Sequence, residues 1–87
     1  MLNNTETNVS GSAAQQVIQL AASIFNMPEE KLSKNSHPDT TVGWDSLAQL
    51  QLVVSVEKNF EIKLSARDVM NIRKLGDAID LVEARMA

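Results

Sequence analysis

The chain lacks cysteine and tyrosine and contains a single histidine among its 87 residues. Without cysteine it can form no disulfide, no thiolate metal site and no cysteine nucleophile. His37 has no second histidine near it, so we interpret it as a solvated loop residue and expect no metal site. No acid and base pair, activated nucleophile or metal-ligand set occurs at a usable spacing, which argues against an enzyme.

Long apolar runs and basic clusters are also missing. No run approaches the length that crosses a membrane, and the polar N-terminal stretch MLNNTETNVSGS lacks the apolar centre of a secretory signal. We therefore expect a cytoplasmic protein that does not bind membranes. A net charge of −3 without a basic run argues against nucleic-acid partners, and so against a helix-turn-helix regulator.

The chain has the length of one small domain, and 44% of its residues are hydrophobic. This content is too high for a disordered chain and supports one modest core. Residues 1–12 are mostly polar, and we expect them to form a flexible tail. Residues 13–87 then form the folded domain.

Apolar residues recur at helical spacing at the start of this domain. They are Ala14, Val17, Ile18, Ala21, Ile24 and Phe25. Ser12 is placed to cap this helix, and Pro28 ends it. The connection that follows, residues 27–44, is predicted to hold a short helical turn, and we expect Leu32 and Val42 to anchor it in the core.

Three more helices are predicted after the connection. The second helix, about residues 46–59, is apolar on more than one face, so it has either two buried faces or one buried face and one that binds a partner. A capping-box pattern opens a short third helix over residues 66–72, and the fourth helix covers about residues 75–85. Lys74 would cap that last helix poorly. The sequence thus predicts an all-α bundle of three longer helices and one short third helix.

The most informative segment is GWDSL at residues 43–47, where the connection enters the second helix. With the residues that follow it reads GWDSLAQLQLVVSVEKNFEIKLS, and it resembles the acyl carrier proteins and the peptidyl carrier domains. The hallmark of that family is Asp-Ser-Leu at the start of the second helix. The similarity covers about residues 13–86, including the Gly-Asp-Ala-Ile run at residues 76–79.

The resemblance implies that Ser46 receives a 4′-phosphopantetheine arm from coenzyme A through a phosphopantetheinyl transferase. It further implies a carrier, not an enzyme, whose arm holds an acyl or aminoacyl cargo as a thioester. Its other partners are the ligase or transferase that loads the cargo and the downstream synthase enzymes. A helix start suits the phosphate because its N–H groups are unpaired and carry partial positive charge. Asp45 and Ser46 are also good N-cap residues, and most Asp-Ser pairs before helices serve only as caps.

Carriers of this family dock on partner enzymes mainly through the second helix and the loop before it. The resemblance therefore implicates Trp44, Asp45, Leu47, Leu50, Gln51, Val54 and, on the third helix, Met70. Core packing is an equal alternative for Leu50 and Val54, and it is the preferred role of Trp44. Eight further apolar residues form the core or line a groove for the acyl chain, and the sequence does not separate the two. They are Val53, Val56, Phe60, Leu64, Val69, Ile72, Ala78 and Leu81.

The second helix departs from the carriers of fatty acid synthesis, which are acid-rich there. The corresponding positions are Ala48, Gln49, Gln51 and Lys58, and only Glu57 is acidic. Because charge steers partner choice, we expect general fatty acid synthase enzymes to use this chain poorly as a carrier. We expect it to serve a dedicated pathway instead. We expect a monomer with transient partners. The alternative function is an unmodified helical interaction module that docks through the second helix.

Overall fold

The computed structural model describes residues 12–86, and within them the chain forms four α-helices and no strand. The helices are α1 (Ala13–Phe25), α2 (Ser46–Phe60), α3 (Ala66–Met70) and α4 (Leu75–Met86), with a 3₁₀ turn at Glu29–Lys31. The predicted all-α bundle with a short third helix is confirmed. The predicted tail lies outside the described residues, except Ser12.

Capping side chains begin three of the helices. The Ser12 hydroxyl accepts the Gln15 N–H at 3.1 Å, and the Asp45 carboxylate accepts the Ala48 N–H at 2.8 Å. Both residues lie in extended backbone just before their helix, as N-caps do. The predicted capping box is also present at the start of α3. The Ser65 hydroxyl accepts the Asp68 N–H, and the Asp68 carboxylate accepts the Ser65 N–H. The local sequence therefore sets where α1, α2 and α3 begin.

The N-terminus of α4 is held by the long connection. The N–H groups of its first two residues donate to the backbone carbonyl oxygens of Ser36 at 2.8 Å and Lys34 at 2.9 Å. The Asp77 carboxylate accepts the N–H groups of the two residues before the helix. These acceptors satisfy N–H groups at the start of α4 that the Lys74 side chain cannot cap. The two carbonyl contacts also hold residues 34–36 against the bundle.

The core lies between the three longer helices. Its largest fully buried side chains are Val17, Leu52, Val56, Leu75, Ile79 and Val82. Phe60, Leu64, Val69 and Leu81, which the sequence assigned to core or groove, are partly buried against it. The helical apolar pattern thus predicts the core well, with these four residues at its margin.

The connection between α1 and α2 has one predicted anchor and one that the sequence misassigned. Leu32 is buried, as expected, but Val42 is 93% exposed and the neighbouring Thr41 is buried in its place. Gly43 follows with a φ of 96°, which glycine adopts without strain. The expectation for Val42 is therefore wrong, because Val42 is a central residue of a turn that the Trp44 N–H closes by donating to the Thr41 carbonyl, and its side chain is directed to solvent.

An ion pair joins the short helix α3 to the last helix, α4. Arg85 on α4 donates to the carboxylate of Asp68 on α3. The pKa of Asp68 lies below its ordinary value, chiefly because the Ser65 backbone N–H donates to the carboxylate; partial burial opposes this effect, and the Ser65 hydroxyl and Arg85 add to it. The ionised form of Asp68 therefore stabilises the packing of α3.

Candidate functional site

Ser46 is the first residue of α2, and its side chain is exposed to solvent. The Asp45 carboxylate before it accepts the Ala48 N–H at 2.8 Å, and the Asp45 carbonyl accepts the Gln49 N–H at 2.9 Å. These two bonds fix the first turn and leave the serine hydroxyl at the rim of the helix. Within this cap, the Asp45 oxygen that accepts the Ala48 N–H is Oδ1.

The start of α2 has the electrostatic character that a phosphate ester needs. The first N–H groups of α2 with acceptors are those of Ala48 and Gln49, which both donate to Asp45. The N–H groups of Ser46 and Leu47 come before them and remain free for an anion. The aligned peptide dipoles add partial positive charge at this end. No acidic residue occurs in the first turn of the helix. A phosphate on the Ser46 oxygen therefore fits this position.

Trp44 is part of the core beside this serine. Its side chain is 4% exposed and stacks on Phe25, with ring centroids 4.8 Å apart and planes inclined by 25°. Its indole Nε1–H donates to Gln49 Oε1 at 2.8 Å. The packing role therefore fits the structure, and partner contact through the indole, the other expectation for Trp44, does not fit its burial. The stacked pair links the C-terminal end of α1 to the residue that precedes the N-cap of α2.

Three apolar side chains of α2 form an exposed stripe, which we call the apolar face. They are Leu47 (63% exposed), Leu50 (59%) and Val54 (42%). The spacing i, i+3, i+7 places them on one side of the helix. The structure thus decides against core packing for Leu50 and Val54, which the sequence left open. The residues from 46 to 56 carry no charged side chain, so the surroundings of this face on the helix are neutral.

The other residues implicated in docking are also exposed. Asp45 and Gln51 are exposed on the first turns of α2, and Met70 is 78% exposed at the end of α3. Val42 joins them as an exposed apolar residue four positions before Ser46, which the sequence interpretation missed. The signal that could have identified it is the glycine that follows, because a turn there separates Val42 from the core.

A groove of about 400 Å³ opens directly beside Ser46. We call it the serine groove; its lining residues are Pro38, Trp44, Asp45, Ser46, Gln49 and Ile72. Ile72 belongs to the residues that the sequence assigned to core or groove, and here it borders both. Pro38 and Gln49 were not predicted, although the three-residue spacing from Ser46 to Gln49 places the two on one side of the helix.

Two further features bear on function. No helix within residues 12–86 combines the length and the apolar character needed to cross a bilayer. In the same part of the chain, no three acidic or histidine side chains come together as a potential metal site. The chemistry near Ser46 therefore consists of an exposed hydroxyl, free helix N–H groups and the serine groove.

Comparisons with known proteins agree with this geometry. Residues 15–82 match the family model described as "Phosphopantetheine attachment site". The chain is also similar to the acyl carrier proteins of two strains of Porphyromonas gingivalis, ATCC 33277 and W83. Each is 26% identical over 72 residues, which cover 83% of this chain and 92% of the relative. The matched region contains all of α2 and α3, α1 from residue 15 onwards and α4 up to residue 82.

Proposed function

The chain belongs to the phosphopantetheine attachment site family, and from this premise we propose that Ser46 is the residue that carries the arm. A member of this family is a carrier and not a catalyst, and its 4′-phosphopantetheine is covalently attached. The observation that supports Ser46 is its position as an exposed residue at the start of α2, next to a groove. The chain then acts as a protein substrate of a phosphopantetheinyl transferase.

Each residue at the start of α2 has a definite part in this proposal. Ser46 offers its hydroxyl oxygen as the acceptor, and the transferase supplies the base. Asp45 caps the helix and keeps its first turn formed. The free N–H groups of the first turn then stabilise the phosphate ester. When bound, the arm supplies a terminal thiol that holds the cargo as a thioester.

The proposed cargo is an acyl or an aminoacyl group. The two relatives from Porphyromonas gingivalis are named acyl carrier proteins, which favours the acyl group. The partners of the chain are then a ligase or transferase that loads the cargo and synthase enzymes that consume it. We propose that the chain acts in the cytoplasm. We also propose that it is a monomer that docks transiently on its partner enzymes.

The neutral apolar face favours one kind of partner enzyme over another. Carriers with acid-rich second helices are steered by charge to basic partner surfaces, and this chain has no charged side chain from residue 46 to residue 56. Exposed Leu47, Leu50 and Val54 instead suit a partner whose docking site is apolar. We therefore assign the chain to a dedicated biosynthetic pathway and not to general fatty acid synthesis. A standard fatty acid synthase malonyl transferase that loads it as fast as its own carrier would contradict this assignment.

Intact-protein mass spectrometry tests the attachment site. The chain is incubated with coenzyme A, magnesium and a broad-specificity phosphopantetheinyl transferase, beside Ser46→Ala and the control Ser23→Ala, which alters an exposed serine of α1. We expect the native chain and the control to gain the mass of one phosphopantetheine and Ser46→Ala to gain none. Modification of Ser46→Ala would move the site elsewhere. No gain in the native chain with several transferases would favour an unmodified interaction module that docks through the apolar face.

A further inference from the structure

We propose that the side-chain amide of Gln49 donates a hydrogen bond to an amide carbonyl of the pantetheine arm and thereby seats the arm in the serine groove. This inference rests on the proposed attachment at Ser46. The ligand class is a secondary amide next to apolar carbon, which is the chemistry of pantetheine. Gln49 is a positioning residue, and no covalent bond to it is formed or broken.

The orientation of the Gln49 amide follows from its neighbour. An indole N–H only donates, so Gln49 must turn its oxygen towards Trp44, and the bond between Nε1 and Oε1 is 2.8 Å long. The two Nε2 protons therefore point away from the indole. Within residues 12–86 they have no hydrogen-bond acceptor, and Gln49 is only half-buried at the groove wall. The side chain thus presents two donors that the fold itself does not use.

The indole also holds this amide in place. Trp44 is buried and stacked on Phe25, so its N–H is a fixed donor that restricts the side chain of Gln49. Because its orientation is set in advance, the Gln49 side chain loses less conformational freedom when the arm binds there. A single polar group with a fixed direction, set in a mostly apolar groove, is the usual way in which such sites orient a ligand.

The groove offers the rest of the arm suitable contacts. Pro38 and Ile72 are apolar residues of its lining. They suit the two methyl groups on the phosphate side of the first pantetheine amide and the two methylene groups between the amides. Ser46 itself lies at the edge of the groove, so an arm attached there enters it without a separate binding event. The groove is open to solvent, and the arm can therefore leave it when a partner enzyme takes over the thioester.

Side-chain NMR signals of the intact chain test this assignment. The amide NH₂ signals of Gln49 and the Trp44 indole N–H are compared in the unmodified and the arm-bearing protein, with the exposed Gln51 as the internal control. We expect the Gln49 signals to shift clearly more than those of Gln51. Equal shifts at the two residues would overturn the inference while leaving the attachment at Ser46 intact. Absence of the arm by mass spectrometry would instead remove both proposals.

A pair of substitutions tests the donor function of the Gln49 amide separately from its acceptor function. Gln49→Glu keeps an oxygen for the Trp44 indole but removes both donors, and Gln51→Glu makes the same change of charge outside the groove. The arm is introduced with ¹⁵N-labelled amides, and its mobility is measured by relaxation. We expect a restricted arm in the native chain and in Gln51→Glu, and a mobile arm in Gln49→Glu with the indole signal unchanged. Equal arm mobility in all three proteins would overturn the inference.

Discussion

The backbone carbonyl of Phe25 lies where a side chain on Gly43 would have to go. A Cβ placed on Gly43 would approach the Phe25 oxygen to 2.8 Å, and the φ of Gly43 is 96°. The end of α1 and the segment before Ser46 are therefore in direct contact, with Trp44 stacked on the ring of the same Phe25. This contact places the start of α2 relative to the rest of the bundle, so the glycine is needed for the site as well as for the turn.

Gly43→Ala is expected to destabilise the fold. The left-handed backbone and the close carbonyl together predict a loss of roughly 1–3 kcal/mol in the free energy of unfolding. Urea unfolding followed by circular dichroism measures it. Val42→Ala is the matched control, because Val42 is exposed, and it should change the free energy by less than about 0.5 kcal/mol. Equal stability of the two variants would contradict the role assigned to Gly43.

Substitutions of Asp45 separate capping from partner contact. Asp45→Asn keeps an oxygen for the Ala48 N–H, whereas Asp45→Ala removes it and should cost about 1 kcal/mol of stability. If Asp45 acts by capping alone, a phosphopantetheinyl transferase modifies Asp45→Asn at the native rate. Kinetics of mass gain under limiting transferase measure this. A stable Asp45→Asn variant that is modified many times more slowly would show that the negative charge itself meets the transferase.

The sequence predicts the helices more accurately than the surfaces they present. Periodicity and caps place α2 and α4 to within one residue and start α1 directly after Ser12, because both signals are local. Pro28 predicts the end of α1 less closely, since the helix already ends at Phe25. The third helix ends at Met70, two residues before the predicted end. There the chain must turn towards α4, and Ile72 is buried after the helix instead of within it.

Contacts between distant segments set what the sequence could not predict. A local pattern gave Leu50 two equal roles, and only the packing of α2 against α1 and α4 shows that it faces solvent. The serine groove depends likewise on Pro38 and Ile72, which come from different parts of the chain. The hydrogen bond from Trp44 to Gln49 also needs the stacking on Phe25, a residue of α1. No spacing within one segment encodes these relationships.

The stability of the fold should depend on the ionisation of Asp68. Its pKa is lowered in the folded chain from the ordinary value of 3.8, mainly by the Ser65 backbone N–H, so ionised Asp68 stabilises the fold above that pH. The contribution is lost as the pH falls from 3.8 through the lower pKa of the folded state. Asp68→Asn, which does not titrate, should therefore lose less stability over this range than the native chain.

Urea midpoints measured at several acidic pH values test this prediction. Asp80→Asn, which removes an exposed acid of α4, corrects for the loss of one negative charge. We expect the stability difference between the native chain and Asp68→Asn to shrink as the pH falls below 3.8. A difference that stays constant across this range would contradict the contribution assigned to the ionised carboxylate.

Leu50→Gln should weaken docking without harming the fold. Leu50 is 59% exposed, so the free energy of unfolding should change by no more than about 0.5 kcal/mol. If the transferase contacts the apolar face, its KM for this variant should rise roughly three- to tenfold, the effect of losing about 1 kcal/mol of interface contact. Because residues 46–56 are uncharged, added salt should change this ratio little. Met86→Gln, which alters an exposed apolar residue near the end of α4, is the control. An equal rise in KM for the two variants would mean that exposed apolar area in general, and not the apolar face of α2, meets the transferase.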